Sequence, residues 1–138
     1  MKDERYDQGM LTRRAVLGEE HVARAQANTT ELTRDFQELI TRYAWGGVWS
    51  RPGIDRRMRS AITLAALISM RAENEIGMHV RAALRNGLTV EEITEIFIHT
   101  AVYAGVPASN SAFAVARKVL EEVDAPPPRS SESPRNSG

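Results

Sequence analysis

Two side chains that can exchange protons, those of Glu75 and His79, stand four positions apart in the sequence. If this segment is helical, the spacing places both on one face of the helix, within hydrogen-bonding reach. A carboxylate beside an imidazole can fix the ring tautomer and hold the imidazole pKa near neutrality, as proton transfer requires. The pair is therefore the candidate acid–base centre. Spacing alone, however, favours the plainer interpretation of a solvated pair, which contributes about 0.2–0.5 kcal/mol to the helix.

The two other histidines are weaker candidates for chemistry. His99 also follows a glutamate by four positions, but its apolar neighbours favour a packed or interface residue. His21 lies in a polar stretch, which is typical of a surface residue. The three histidines show no His-Glu-x-x-His or comparable ligand spacing, so the sequence predicts no metal site.

Arg42 and Arg51 flank the aromatic and glycine-rich segment 43–49, whose sequence is YAWGGVW. A guanidinium group binds a carboxylate through two parallel hydrogen bonds, which makes arginine the better clamp for such a ligand. The segment could form one wall of a pocket, with the two arginines as substrate-binding groups. For either arginine alone, ordinary surface charge is the simpler interpretation.

Helices must position these residues, because apolar residues recur with helical spacing and no segment alternates with a period of two. The sequence predicts an all-α fold, a compact bundle of five or six helices. One helix begins near Thr30 and has an apolar face that comprises Leu32, Phe36, Leu39, Ile40 and Tyr43. The paired glycines and the Pro-Gly of segment 44–53 predict a connection after it.

Capping residues predict where the later helices begin and end. Asp55 is a candidate N-cap for an apolar helix that runs to about residue 70. The helix with Glu75 and His79 spans about 72–85 and ends at Asn86-Gly87. Thr89 and Glu92 fit a capping box for a helix that stops at Gly105. A last helix covers about 108–122.

Composition limits the class of protein. The 138 residues suit one folded domain, which we expect at 11–124, with a frayed segment at 1–10 and a disordered Pro/Ser-rich tail at 125–138. Equal numbers of acidic and basic residues, 18 of each, argue against nucleic acid or an anionic membrane as a partner. The absence of cysteine excludes disulfides and thiol chemistry. Without a signal-like or membrane-spanning stretch, the expected location is the cytoplasm.

Three stretches together resemble a known family. They are FQELITRYAWG (36–46) with WSRPGIDRR (49–57), then HVRAALRNGLT (79–89), then TAVYAGVPASNSAF (100–113). In order and spacing they resemble the carboxymuconolactone decarboxylase family over about residues 17–122. The wider alkylhydroperoxidase D-like superfamily also contains disulfide reductases with a Cys-x-x-Cys motif. Ala72 and Glu75 occupy those two places here, so thiol peroxidase chemistry is excluded.

The resemblance implies an oligomer-forming helical fold, a trimer or a hexamer, and a decarboxylase that needs no cofactor and no metal. The implied substrate is a dicarboxylate lactone, 4-carboxymuconolactone. It would lose CO2 to give 3-oxoadipate enol-lactone in the catabolism of protocatechuate. The electrons of the departing carboxylate flow into the lactone carbonyl, so the substrate is its own electron sink. The protein must supply cations for two carboxylates, donors for the dienolate oxygen and a proton for the ring carbon.

The resemblance also suggests which residues fill these roles. His79 would donate the proton, or a hydrogen bond to the dienolate oxygen, and Glu75 would orient it. The suggested substrate-binding residues are Arg42 and Arg51 for the carboxylates, and Tyr103 and Asn110 for the lactone. Two alternatives stay open. One is a paralogue that acts on another carboxylated lactone or an unsaturated acid, and the other is a non-catalytic oligomeric binding protein.

Overall fold

The structure, a computed structural model, describes residues 3–124, and all regular elements in that range are helical. They are α1 (Glu4–Leu17), α2 (Glu19–Ala27), α3 (Arg34–Ile40), a π-helix (Thr41–Trp49), α4 (Arg56–Ser69), α5 (Glu73–Arg85), α6 (Val90–Ala104) and α7 (Val106–Asp124). The predicted all-α class is confirmed. The described chain has more helices than the five or six expected, because α1 and α2 precede the first one predicted. None of these helices has both the length and the apolar character that crossing a bilayer requires.

The predicted caps of the later helices are present. The carboxylate of Asp55 accepts the backbone N–H of Met58 at 2.8 Å and so begins α4. At α6 the Thr89 hydroxyl accepts the Glu92 N–H at 3.1 Å, while the Glu92 carboxylate accepts the Thr89 N–H at 3.0 Å. Gly105 ends α6 with a φ of 103°, a conformation that glycine adopts without steric cost. Local hydrogen-bonding chemistry thus sets these ends.

The beginning of the chain differs from the frayed segment expected at residues 1–10. Helix α1 starts at Glu4, with the Asp3 side chain accepting the Tyr6 N–H at 2.9 Å, and Gly9 and Met10 are buried. The helical pattern is hidden in the sequence because small or polar residues occupy much of the buried face. The tail predicted to be disordered, 125–138, lies outside the described residues.

A second difference concerns segment 44–53, which was expected to be a connection. Its first part belongs to the π-helix, which continues α3 without a break through Gly46 and Gly47. The helix expected from Thr30 begins only at Arg34, and Leu32 on its expected apolar face is 91% exposed in the single chain. In a π-helix each N–H bonds to the carbonyl five residues before it, and such segments occur frequently at functional sites.

Two apolar clusters hold the helices together, and α5 lies between them. The larger cluster joins α4, α5, α6 and α7 around Phe97 and Leu64, both fully buried. The smaller one joins α1, the π-helix and α5 through Val16, Trp45 and Ala82. Helix α5 therefore presents one face to the main core and another to the π-helix.

Helix α1 packs against the π-helix at a backbone-to-backbone contact that Gly9 permits. A methyl group at Gly9 would overlap the carbonyl oxygen of Thr41, which is backbone and cannot swing aside. We expect Gly9→Ala to lower the free energy of unfolding by about 1–3 kcal/mol or more. The control is Gly53→Ala, since a methyl group there meets nothing within 4 Å. Urea denaturation of both variants measures the difference, and equal midpoints would show that the two helices do not approach this closely.

Candidate active site

His79 lies on the face of α5 that is turned toward the π-helix, and only 8% of it is exposed. Its ring lies nearly parallel to that of Trp49, with the centroids 6.5 Å apart and an angle of 21° between the planes. Trp49 in turn packs on Trp45, at 5.2 Å between centroids. The two tryptophans of the predicted pocket wall therefore lie beside the candidate catalytic histidine.

The His79 ring lines a cavity of about 400 Å³, a size that suits a small organic acid. The cavity is bounded by α1, α3, the π-helix, α4 and α5. Its lining residues are Arg13, Leu17, Phe36, Gln37, Ile40, Ala44, Trp45, Trp49, Thr63, Glu75, Met78 and His79. Apolar walls thus surround a few polar groups, the usual composition of a site for a small ligand.

Burial determines the protonation of His79. Loss of solvation, together with the positive charge that His21 can carry, lowers the pKa of the imidazole to about 4. The expectation of a pKa near neutrality was therefore wrong for the protein without a ligand. Nδ1 of His79 is buried without a hydrogen-bond partner in residues 3–124. A buried nitrogen of this kind costs about 1–3 kcal/mol unless a ligand or water bonds to it.

Glu75 lines the same cavity as His79, so the i,i+4 spacing does bring both residues to one site. The structure shows no hydrogen bond between the Glu75 carboxylate and the His79 ring, and Nδ1 of His79 has no partner within the described chain. The Glu75 side chain is exposed. Burial lowers the pKa of His21, and the negative charge of Glu75 opposes that shift. A role for Glu75 in orienting His79 stays a prediction.

Arg13 is the guanidinium that the structure brings to the cavity, and the sequence analysis did not single it out. It is 9% exposed and donates to the Gln37 side-chain oxygen at 3.1 Å and to the Thr41 hydroxyl at 3.4 Å. Both partners are neutral, and Nε has no partner among the described residues. Burial lowers the pKa of Arg13 from its ordinary value. A buried cation without a carboxylate partner favours an anionic ligand.

The helical spacing of the buried residues of α1 is the signal that could have identified Arg13 as a cavity residue. The buried residues of this helix include Met10, Arg13 and Val16, which are spaced by three. Once residues 4–17 are read as a helix, this spacing places Arg13 on the buried stripe. The sequence analysis predicted no helix before Thr30, so this position was not recognised.

The two arginines predicted to bind carboxylates lie elsewhere in the single chain. Arg42 is engaged on the outer side, with Asp3 at 3.2 Å and Glu38 at 3.9 Å, and its guanidinium covers the Tyr6 ring at 5.6 Å. Arg51 is exposed and does not line the cavity. The flanking positions in sequence do not converge because the intervening segment is helical and separates them along its axis.

Tyr103 and Asn110, the predicted lactone contacts, are also outside the cavity. Tyr103 is 80% exposed on α6, where its ring packs against that of His99 at 5.3 Å. Asn110 is exposed on α7. Their proposed roles stay predictions. In residues 3–124, no three His, Asp or Glu side chains come together in a way that could hold a metal ion.

The low pKa of His79 makes stability depend on pH. Between about pH 6.5 and 4 the unfolded chain binds a proton at this imidazole and the folded chain does not. The free energy of unfolding should therefore fall as the pH is lowered through this range, by up to about 3 kcal/mol from this group. Urea titrations at pH 7, 5.5 and 4.5 should show a shallower decline for His79→Gln than for the unmodified protein. Part of the decline will persist, because burial also lowers the pKa of His21. Parallel declines in both proteins would contradict a buried neutral imidazole.

Comparison with known proteins identifies the family of this chain. The family model described as "Carboxymuconolactone decarboxylase family" matches residues 34–118. The chain belongs to this family. It is 46% identical over 128 residues to 4-carboxymuconolactone decarboxylase of Acinetobacter baylyi, covering 92% of this chain and 96% of the relative. It is also 46% identical over 118 residues to nitrosuccinic acid decarboxylase of Metarhizium robertsii, covering 86% and 82%.

A shorter match supports the same membership. The chain is 51% identical over 43 residues to a 4-carboxymuconolactone decarboxylase of Pseudomonas putida, which is 31% of this chain and 90% of that relative. The resemblance carried by the motifs of the sequence is therefore confirmed. Two names among these relatives describe decarboxylation of a carboxylated lactone, and one describes decarboxylation of a nitro acid.

Proposed function

We propose that this protein is a cofactor-independent carboxy-lyase that converts 4-carboxymuconolactone into 3-oxoadipate enol-lactone and CO2 in protocatechuate catabolism. The observation that carries the proposal is the pairing of Arg13 and His79 in one cavity. Both side chains are buried, and each has a nitrogen without a partner in the described chain. The identity to relatives with this named activity supports the choice of substrate.

The charges in the cavity suit a carboxylate ligand. Within residues 3–124 the guanidinium of Arg13 has no carboxylate partner, so a substrate carboxylate can take that place and form two charge-assisted hydrogen bonds. The second carboxylate, the one that leaves, is better placed against the apolar walls that Trp45 and Trp49 provide. A strong ion pair there would stabilise the substrate more than the transition state and so slow its loss.

His79 then acts on the dienolate that decarboxylation leaves. The carbon–carbon bond to the carboxylate breaks, and its electron pair moves through the ring double bond to the lactone oxygen. The dianionic substrate consumes one proton and becomes a monoanion plus CO2. The negative charge of the bound substrate raises the pKa of His79 from about 4, so the imidazole takes up a proton as the substrate binds. It can then donate that proton to the ring carbon.

A direct assay tests the proposal. Purified protein is mixed with 4-carboxymuconolactone, without added metal or cofactor, and CO2 and enol-lactone are followed together. Equal amounts of the two products at a rate well above the spontaneous reaction support the proposal. Binding of the substrate without release of CO2 would favour the non-catalytic binding protein instead.

A second candidate substrate follows from the match to nitrosuccinic acid decarboxylase, which is as high in identity as the lactone match. Nitrosuccinate is also a small dicarboxylate, and its nitro group accepts the electron pair that the lactone carbonyl would otherwise accept. The same Arg13 and His79 could serve both reactions, because each needs one anchored carboxylate and one proton delivered to carbon. A comparison of kcat/KM for the two acids on the same preparation decides which substrate the cavity prefers.

We also propose that the protein works as a homo-oligomer, a trimer or a hexamer, in the cytoplasm. Large apolar side chains are exposed on α3 and α6 of the single chain, among them Phe36, Leu39 and Val102. Phe36 both lines the cavity and is 59% exposed, so a neighbouring copy over α3 would also shield the site from water. Light scattering coupled to size-exclusion chromatography tests the assembly, and a monomer at micromolar concentration would contradict it.

A further inference from the structure

His21, which the sequence indicated to be an ordinary surface residue, lies in a second and larger cavity beside the first. It is half-buried in the first turn of α2 and lines a cleft of about 810 Å³ between α1, α2 and α5. The charged residues of this cleft are predominantly arginines: Arg14, Arg24, Arg81 and Arg85, with Glu19 and Glu20. The cleft is open to solvent along its acidic and basic rim.

The cleft and the His79 cavity share a wall. Leu17 and Met78 line both spaces, so two apolar side chains separate the ring of His21 from the cavity in which His79 lies. Methionine is unbranched and has three rotatable bonds, so Met78 is the adaptable part of this wall. The two imidazoles thus line neighbouring cavities on either side of it.

The charges around the two imidazoles interact. His21 faces Arg13 of α1, Arg24 of its own helix, and Arg81 and Glu75 of α5. Burial is the largest cause of its lowered pKa, the three arginines lower it further, and Glu75 opposes them. His79 and His21 are also close enough for the charge of one to lower the pKa of the other. Protonation of both imidazoles at once is therefore unfavourable, which suits two groups that pass a single proton.

The reaction proposed above creates a need for such a transfer. Each turnover consumes one proton, and it reaches the ring carbon from an imidazole that is 8% exposed even without substrate. A bound substrate occupies the cavity and covers that ring further. Because the imidazole takes up its proton as the substrate binds, that proton needs a route to His79 that the substrate does not block.

We propose that His21 is the proton-relay residue of this site, taking protons from the solvent in the arginine-lined cleft and passing them to His79 across the Leu17–Met78 wall. The inference rests on the proposed decarboxylation. The relay changes no bond of the substrate: His79 gives its proton to carbon, and as the next substrate binds His21 passes it another through an intervening water and is itself reprotonated from solvent. His21 therefore acts through His79 and is not itself a catalytic residue.

Chemical rescue tests the relay. The substrate is 4-carboxymuconolactone, and the variants are His21→Ala and, in case alanine disturbs the packing of α2, His21→Gln. At low buffer concentration we expect kcat to fall on the order of 10-fold with KM nearly unchanged, because proton delivery slows and substrate binding does not. Added imidazole should restore much of the lost rate in a concentration-dependent way. Glu20→Gln, a change in the same cleft and on the same helix, is the matched control. It should show neither the loss nor the rescue.

The outcomes separate the two proposals. A His21 variant that keeps the full kcat at low buffer concentration overturns the relay, as does a lowered kcat that imidazole does not restore in either variant. The decarboxylation of the unmodified protein would stand in both cases. If the unmodified protein releases no CO2 from the lactone, the proposed function fails and the relay fails with it.

Discussion

Replacing His79 with alanine should lower kcat by about 10²-fold or more while the protein remains folded. The reason is that the imidazole is buried beside Trp49, with Nδ1 unpartnered in the described chain, and is the group best placed to deliver a proton into the cavity. Loss of CO2 and protonation of carbon are coupled, because a dienolate that is not protonated can recapture CO2 before the latter escapes. The measurement is the steady-state release of CO2 and enol-lactone at saturating substrate.

A control is needed because His79 is part of a packed region. His99→Ala removes an exposed imidazole on α6 that does not line the cavity, and it should keep nearly the full rate. Thermal unfolding followed by circular dichroism should show that His79→Ala folds. A folded His79→Ala protein with a rate close to that of the unmodified protein would refute proton transfer by this residue.

Most of the fold could be predicted from the sequence where local chemistry determines it. Asp55, Thr89 and Gly105 act through hydrogen bonds and backbone conformations within a few residues. The beginning of α4 and both ends of α6 therefore follow from residue types alone. Helix α1 could not be recognised in the same way. Its buried face includes Gly9, which is selected by close contact with a distant backbone and not by helix propensity. The packing of α1 therefore depends on contacts with distant parts of the chain, which residue types alone do not reveal.

The same distinction explains the result for the candidate site. The helical spacing of four correctly brought Glu75 and His79 to one cavity, because that relation is contained within α5. Which arginine reaches the cavity depends on how α1 packs on the π-helix, and this is a contact between distant parts of the chain. Arg42 and Arg51 were suggested by nearness to the tryptophans in sequence, yet Arg42 lies on the outer side of the π-helix, Arg51 follows its end, and neither lines the cavity. Arg13, 32 or more positions before the tryptophans, reaches their cavity.

Substitution of Arg13 therefore tests whether the substrate carboxylate binds this arginine, as the structure suggests, or Arg42, as the sequence suggested. Arg13→Ala should reduce kcat/KM about 10- to 100-fold, mostly through KM, since a hydrogen bond to a charged group contributes about 1.5–3 kcal/mol. Arg13→Lys should recover part of the lost kcat/KM, because lysine keeps the charge but lacks the planar guanidinium group.

Arg42→Ala is the matched comparison: it removes a guanidinium already paired with Asp3 and Glu38, so KM should change little. Thermal unfolding of each variant shows how much the loss of the hydrogen bonds from Arg13 to Gln37 and Thr41 destabilises the fold. If Arg42→Ala raises KM and Arg13→Ala does not, the carboxylate lies against the outer arginine and the cavity assignment is wrong.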